Sequence, residues 1–399
     1  MDIAFKHISS PVAYCALSVK VGTRDEEVTL NGIAHFTEHM IFKGTTSRSA
    51  NNVNNFLEKL GGELNAYTTK EDTVVYATVL KEDLPKAIEL LSDLAFNSTF
   101  PQKELVKERE IILEEISSYK DTPSELIFDD FEEHIFGKHP LAKPILGTPA
   151  SVKRIGVEEI RQFASRYYKT SNMSLAIVAD IPEEKGIKLV DRYFCPAGDD
   201  LNEDTKNTGV FEVKEFEQRV KVVPKKTHQS HCVIGSTAYT LYRDERLPLA
   251  LLTNILGGPA LNSILNRVLR EKYGLAYTVD ATYTPYHDTG LFTIYFGTDK
   301  SNVERCQELV DGELSALMQK ELSPYQLKAA KKQLLGQLAI SMDNAESQCL
   351  SMGKSLLVYG KVESIEIIRE KIEKITATQL NEVAKEILSP EKRYTLIYK

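Results

Sequence analysis

From Val12 the chain runs "VAYCALSVKVGTRDE", an alternating apolar and polar stretch that predicts a strand closed by a polar turn. Far downstream, "SHCVIGSTAYTLYRDE" repeats the pattern and ends in the same Arg-Asp-Glu. A second correspondence follows. "KEDTVVYATVLKEDLPKAIELLSDL" in the first half and "YHDTGLFTIYFGTDKSNVERCQELV" in the second each read as a strand after Asp-Thr, a polar turn and an amphipathic helix. The matching positions lie about 216 to 222 apart, with the drift that small insertions produce. This predicts one α+β domain duplicated, each copy a mainly antiparallel sheet with helices packed on one face. Between the copies, "CPAGDDLNEDTKNTG" is rich in Pro, Gly, Asp and Asn and has no hydrophobic period, so it reads as a linker. The expected organisation is a first domain over residues 1–194, a linker over 195–225 and a second domain over 226–399.

Inside the first copy, "GIAHFTEHMIFKG" interrupts an apolar run with two histidines and a glutamate. The spacing predicts a helix, with Asn31 as its cap and Gly44 as its stop. On such a helix His35 and His39 are i and i+4, on one face and roughly 6 Å apart, which suits two ligands of one tetrahedral zinc ion. Glu38 reaches the same face and can hold a water that the metal polarises. Zinc lowers the pKa of such a water from ~15.7 to about 7, and a carboxylate in contact takes the proton as the water attacks a carbonyl. A third protein ligand is expected from "ELVKEREIILEEI", where Glu108 and Glu115 stack two turns apart and Ile111, Ile112 and Ile116 supply the apolar face. Glu115 is the expected ligand and Glu108 the carboxylate that orients a ligand imidazole. On the residues alone, Glu115 reads equally well as a solvated charge.

Composition narrows the field. Of 399 residues, 42% are hydrophobic and 27% charged, the balance of a globular protein, and the length fits two or three domains. The net charge of -8, with no Lys/Arg-rich block, argues against nucleic acid as a partner. No stretch approaches the ~20 apolar residues of a membrane span. The start, "MDIAFKHISSPVAYC", lacks a basic region followed by an apolar one, so no secretion signal is expected. Five widely spaced cysteines without a CxxC pair point to free thiols in a reducing cytoplasm. Any metal here would therefore rely on His and carboxylates.

"HFTEH", with the Glu115 of "EREIILEE" 76 positions beyond His39, resembles the inverted zinc motif of the pitrilysin/insulinase family. That family includes insulin-degrading enzymes and the mitochondrial processing peptidase, and the likeness is strongest to its short bacterial two-domain members. It extends over nearly the whole chain, through "FGKHPLAKPILGT" and "LREKYGLAY". The resemblance implies one zinc per chain held by His35, His39 and Glu115, with Glu38 as general base. The second copy keeps no such set: "RLPLALLTNILGG" has no His, and "QLKAAKKQLLGQL" has Lys and Gln where the carboxylates would stand.

By composition alone Arg270 and Tyr277 are an ordinary surface arginine and strand tyrosine. The resemblance implies instead that they bind substrate backbone and stabilise the oxyanion at the scissile carbonyl. "GGELNAYTTKEDTVVYATVL" reads as two strands joined by a polar turn. Asn65 and Ala66 lie on a segment that in the family is a sheet edge receiving peptide as an added strand; a turn cap is the equal alternative for Asn65. Family members of this length usually form dimers, and a chain carrying both residue sets is expected to be a homodimer, with a heterodimer open. Two departures stand out: "GGPALNSIL" replaces a glycine triplet and Arg-containing run, and the opening strand is short. The expected activity is zinc-dependent endopeptidase action on short or unfolded peptides. The alternatives are a non-catalytic partner subunit or a zinc-stabilised scaffold, the second disfavoured because no fourth His or Cys lies near the motif to close the site.

Overall fold

The computed structural model describes residues 1–194 and 219–399. In the first half the chain forms strands β1 (Asp2–His7), β2 (Val12–Val19), β3 (Glu63–Thr68), β4 (Thr73–Leu80) and β5 (Met173–Ala179). Its helices are α1 (Ile33–Ile41), α2 (Ala50–Glu58), α3 (Leu84–Asn97), α4 (Gln102–Lys120), α5 (Pro123–Phe136), α6 (Pro149–Val152), α7 (Val157–Tyr167) and α8 (Glu183–Tyr193). The second half forms β6 (Val220–Val223), β7 (Ser230–Ala238), β8 (Ala276–Pro285), β9 (Gly290–Thr298) and β10 (Tyr394–Tyr398). Its helices are α9 (Arg246–Gly257), α10 (Val303–Gln319), α11 (Pro324–Ser341), α12 (Ala345–Tyr359), α13 (Ile365–Glu373) and α14 (Ala377–Ile387).

The duplication read from the sequence is visible in the topology. One sheet has the order β1-β5-β2-β4-β3 and the other β6-β10-β7-β9-β8, the same arrangement shifted by one copy. In each, a single parallel pair sits at one end, β1 with β5 and β6 with β10, and every other pairing is antiparallel. The fold is thus α+β with two homologous, mainly antiparallel sheets.

The described residues form two compact units, and neither is a continuous piece of chain. The first holds Met1–Ser118, 143–194 and Ile340–Glu363; the second holds Tyr119–Ala142, 219–339 and Ser364–Lys399. This division differs from the expected 1–194 and 226–399. The reason is packing: in the first unit one sheet face buries Leu17, Val75 and Ile177 against Phe36, Met40, Ile88 and Ile112 of α1, α3 and α4. The other face, with Ala16, Val74, Ala176 and Val178, is covered by Cys349, Met352 and Leu356 of α12. Ser174 Oγ donates to the Gly353 carbonyl at 2.8 Å and fixes the helix there. In the second unit, Val233, Leu291, Tyr295 and Leu396 meet Ile127, Phe131 and Ile135 of α5. Helices therefore also lie on the second face of each sheet, which is why β5, β9 and β10 are buried along their whole length rather than at alternate positions. Of the expected linker, residues 195–218 lie outside the described residues, whereas Val220–Val223 pairs with β10 as a strand.

Candidate metal centre and active site

Helix α1 carries the histidines, and its first turn is held from outside the helix. Gly32 precedes it with φ 95°, a left-handed conformation that only glycine adopts without strain, and a Cβ there would stand 2.8 Å from the Leu146 carbonyl oxygen. The expected cap, Asn31, does not cap. Its side-chain amide donates to Glu26 Oε2 at 2.8 Å and to the Pro144 carbonyl at 3.1 Å. The cap is Glu26, whose carboxylate accepts the Gly32 N–H at 2.8 Å and the Ala34 N–H at 2.9 Å. Two otherwise unpaired helix-start amides are thereby satisfied, and the acidic group lies at the positive end of the helix. Burial nonetheless pushes the Glu26 carboxyl up to about 7. The helix ends at Ile41, and Gly44 takes φ 121° three residues later, as a stop requires.

His35 and His39 project from one face, with ring centroids 4.6 Å apart. Glu115 arrives from α4: its Oε2 lies 3.9 Å from His35 Nε2 and 3.7 Å from His39 Nε2. Those separations are too long for hydrogen bonds, and Glu115 Oε2 is buried with no hydrogen-bond partner. They are close to the edge of a coordination shell, since zinc bonds of about 2.0–2.2 Å at tetrahedral angles set ligand atoms roughly 3.3–3.6 Å apart. One atom from each of the three residues falls within 4.8 Å of the others, the one such cluster of His, Cys and carboxylates among the described residues. Burial, and secondarily the His39 charge, pushes the His35 imidazole down to about 3, so its ring is neutral and offers a lone pair at ordinary pH. An unpaired carboxylate oxygen facing two imidazoles, one of them held neutral, fits a divalent cation.

Glu108 stands beside His39. It is 4% exposed, and its Oε2 stands 3.1 Å from His39 Nδ1, fixing that ring with Nε2 toward Glu115. Its other oxygen pairs with Lys43 Nζ at 2.8 Å. Lys43 was not anticipated. On α4, Ile112 and Ile116 are buried as expected, but Ile111 is 44% exposed. The buried stripe runs Leu105, Glu108, Ile112 and Ile116, a spacing that turns position 111 outward.

Glu38 is 9% exposed, and Thr68 Oγ1 donates to its Oε2. Burial raises its carboxyl above the usual range; the Thr68 hydrogen bond and His39 oppose that, and the Glu115 charge adds to it. β3 is the edge strand of its sheet. Asn65 and Ala66 pair with Tyr76 and Val75 and leave their other side open; Asn65 is exposed, while Ala66 packs against the core below.

Arg270 and Tyr277 belong to the second unit. Arg270 lies in a π-helical stretch, Asn266–Lys272, which the sequence pattern did not foretell. Gly274 turns the chain with φ 60° into β8, where Tyr277 is 77% exposed. The guanidinium sits over the Tyr277 ring, 4.7 Å from its centroid. The structure thus brings this pair together. No helix among the described residues is long and apolar enough to cross a membrane.

Comparison with known proteins agrees with this geometry. Residues 2–149 match the family described as Insulinase (Peptidase family M16), and residues 154–334 match the Peptidase M16 inactive domain. The "Uncharacterized zinc protease YmxG" of Bacillus subtilis is 32% identical over 384 residues, 96% of this chain and 92% of that protein. A zinc protease of the same description from Rickettsia bellii is 32% identical over 373 residues, 94% of this chain and 89% of its own. Among solved structures, a protease from Helicobacter pylori superposes with a TM-score of 0.90 at 22% identity, covering 98% of this chain and 94% of the other. A peptidase M16 inactive domain from Pseudomonas fluorescens gives 0.86 at 19% identity, with 99% and 94% covered. Two domain matches in tandem, near-complete coverage and a ligand cluster in the first unit lead to one conclusion: this chain belongs to the M16 (insulinase) family of peptidases, in its short two-domain form.

Proposed function

We propose that the chain is a zinc-dependent endopeptidase that hydrolyses peptide bonds in short or unfolded peptides. The observation that carries this reading is the convergence of His35 Nε2, His39 Nε2 and Glu115 Oε2, beside a buried Glu38 on the same helix as the two imidazoles. Bound zinc would polarise the scissile carbonyl and make a neighbouring water acidic near neutral pH. Glu38 takes the proton from that water and returns it to the departing amine. Glu108, held by Lys43, keeps the His39 ring in one orientation. The open edge of β3 at Asn65 and Ala66 accepts the substrate as an added strand, a mode that favours extended backbone over particular side chains. Arg270 and Tyr277 are assigned to substrate backbone and oxyanion on the family resemblance, supported by their stacking and the exposure of the tyrosine ring. A chain carrying both residue sets has what a homodimer needs; a heterodimer with a homologous subunit is the competing assembly. The proposed compartment is the cytoplasm, in keeping with cysteines of which the four described are all free and buried.

Metal analysis with digestion of a quenched fluorescent peptide library tests the reading. Zinc at one per chain, cleavage abolished by chelator, and a Glu38→Gln variant that keeps its zinc but does not cleave are expected. Turnover at the wild-type rate in that variant would remove Glu38 from the mechanism. Stoichiometric zinc without any hydrolysis would point to a non-catalytic partner subunit.

A further inference from the structure

Thr68 is the last residue of β3, and its surroundings fix it closely. The hairpin beyond it is tied by the Thr69 N–H donating to the Asp72 carbonyl at 2.7 Å, and Thr68 pairs in register with Thr73 at the start of β4. Thr73 Oγ1 donates to the Val21 carbonyl at 2.9 Å, so its proton is committed. Thr73 Oγ1 therefore does not donate to Thr68, and at 3.5 Å it is the more distant acceptor; an ionised carboxylate can only accept, so the Thr68 proton goes to Glu38 Oε2. A β-branched side chain in a strand has few χ1 choices, so the direction of this donor is set by the backbone. Glu38 receives no other protein hydrogen bond among the described residues, which leaves Oε1 as the oxygen free to meet water. Strand alternation places Thr68 on the same face as Ala66 and Leu64, which pack on the core beneath the sheet, while Asn65 and Tyr67 point to the other face.

Resting on the endopeptidase reading above, we infer that Thr68 is a positioning residue: its hydroxyl aims the Glu38 carboxylate and joins it rigidly to the strand whose open edge takes up the peptide. Strand and base then form one mechanical unit. A peptide added to β3 is registered against the same backbone that sets where the proton acceptor lies, so orientation of the two reactants is settled before chemistry begins.

The test compares Thr68→Val, which keeps shape without a donor, with Thr68→Ser, which restores the donor on an unbranched chain. Cleavage of a quenched peptide, zinc content, melting temperature and crystal structures of both variants are measured, with Glu38→Gln alongside. The valine variant is expected to lose about 10- to 100-fold in kcat, with KM within about twofold, as a base displaced by about an ångström would. Its zinc content and melting temperature stay at wild-type values, and its crystal structure shows the Glu38 carboxylate rotated away. The serine variant recovers most of the turnover and the original carboxylate position. A valine variant with wild-type kcat, an unmoved Glu38 in its crystal structure, or equal losses in valine and serine variants would each overturn the inference. If Glu38→Gln is inactive while Thr68→Val is fully active, only this inference falls; if Glu38→Gln is itself fully active, the endopeptidase reading falls with it.

Discussion

Glu26 offers a quantitative test of how α1 is held. Its side chain is 6% exposed and accepts Gly32 N–H, Ala34 N–H and the Asn31 amide at 2.8–2.9 Å. Burial still dominates, raising its carboxyl from 4.5 to about 7 against the pull of those donors and of Lys143. A folded-state pKa above the unfolded one means that folding favours the protonated form. The contribution of this group to stability is therefore complete below about pH 4.5 and is lost as pH climbs through about 7. At 1.36 kcal/mol per pKa unit the loss amounts to about 3 kcal/mol. Glu26→Gln cannot ionise, and its single acceptor oxygen leaves one α1 amide facing an NH2, at a cost of about 1–3 kcal/mol that does not vary with pH. In urea denaturation of the metal-free protein, the variant should be the less stable at pH 5, and the gap should close or reverse by pH 8. Metal-free protein keeps zinc linkage out of the comparison. A gap that stays constant between those two pH values would refute the argument, because it would mean that Glu26 ionises alike in folded and unfolded chains.

Glu108→Gln should weaken zinc binding about 10- to 100-fold, since its NH2 must face either Lys43 or His39 Nδ1; competition with a chromophoric chelator reads this, and unchanged affinity would remove Glu108 from its role beside His39. Gly32→Ala should destabilise by about 1–3 kcal/mol, because the new Cβ meets both an unfavourable φ of 95° and the Leu146 carbonyl. A loss below about half a kcal/mol in urea denaturation would show that the backbone relaxes there at little cost.

The two imidazoles and Glu38 were legible in the sequence because they share one helix, where i to i+4 spacing converts directly into geometry. The β3–β4 hairpin was legible for a similar reason, since two strands joined by a polar turn are a local pattern. Other features depend on contacts between distant segments. Asn31 has the side chain and position of a cap, but Glu26, five residues earlier, takes the helix-start amides; propensity alone does not rank two competing acceptors. Nothing near Lys43 in the sequence singles it out, because its partner Glu108 comes from α4. Thr68 is unremarkable within "NAYTT" because its partner lies 30 positions back in the chain. The segment "FGKHPLAKPILGT" owes part of its character to a similar contact: Lys143 Nζ donates to the Glu26 carbonyl at 2.9 Å, and Gly147 abuts Asn31. The packing of α5 and α12 was the least accessible feature, since the surfaces they cover belong to the opposite half of the sequence.

That trade of helices bears on how such a chain could arise and be taken apart. α5 and α12 occupy matching places in the two copies, and each completes the unit built mainly from the other. A lone ancestral copy folding the same way would have lent this helix to its twin and borrowed one back, so gene fusion had only to tether an already interlocked pair. Severing the present chain between the copies would then yield two fragments that are each missing a wall when alone. Mixed, they should restore one another.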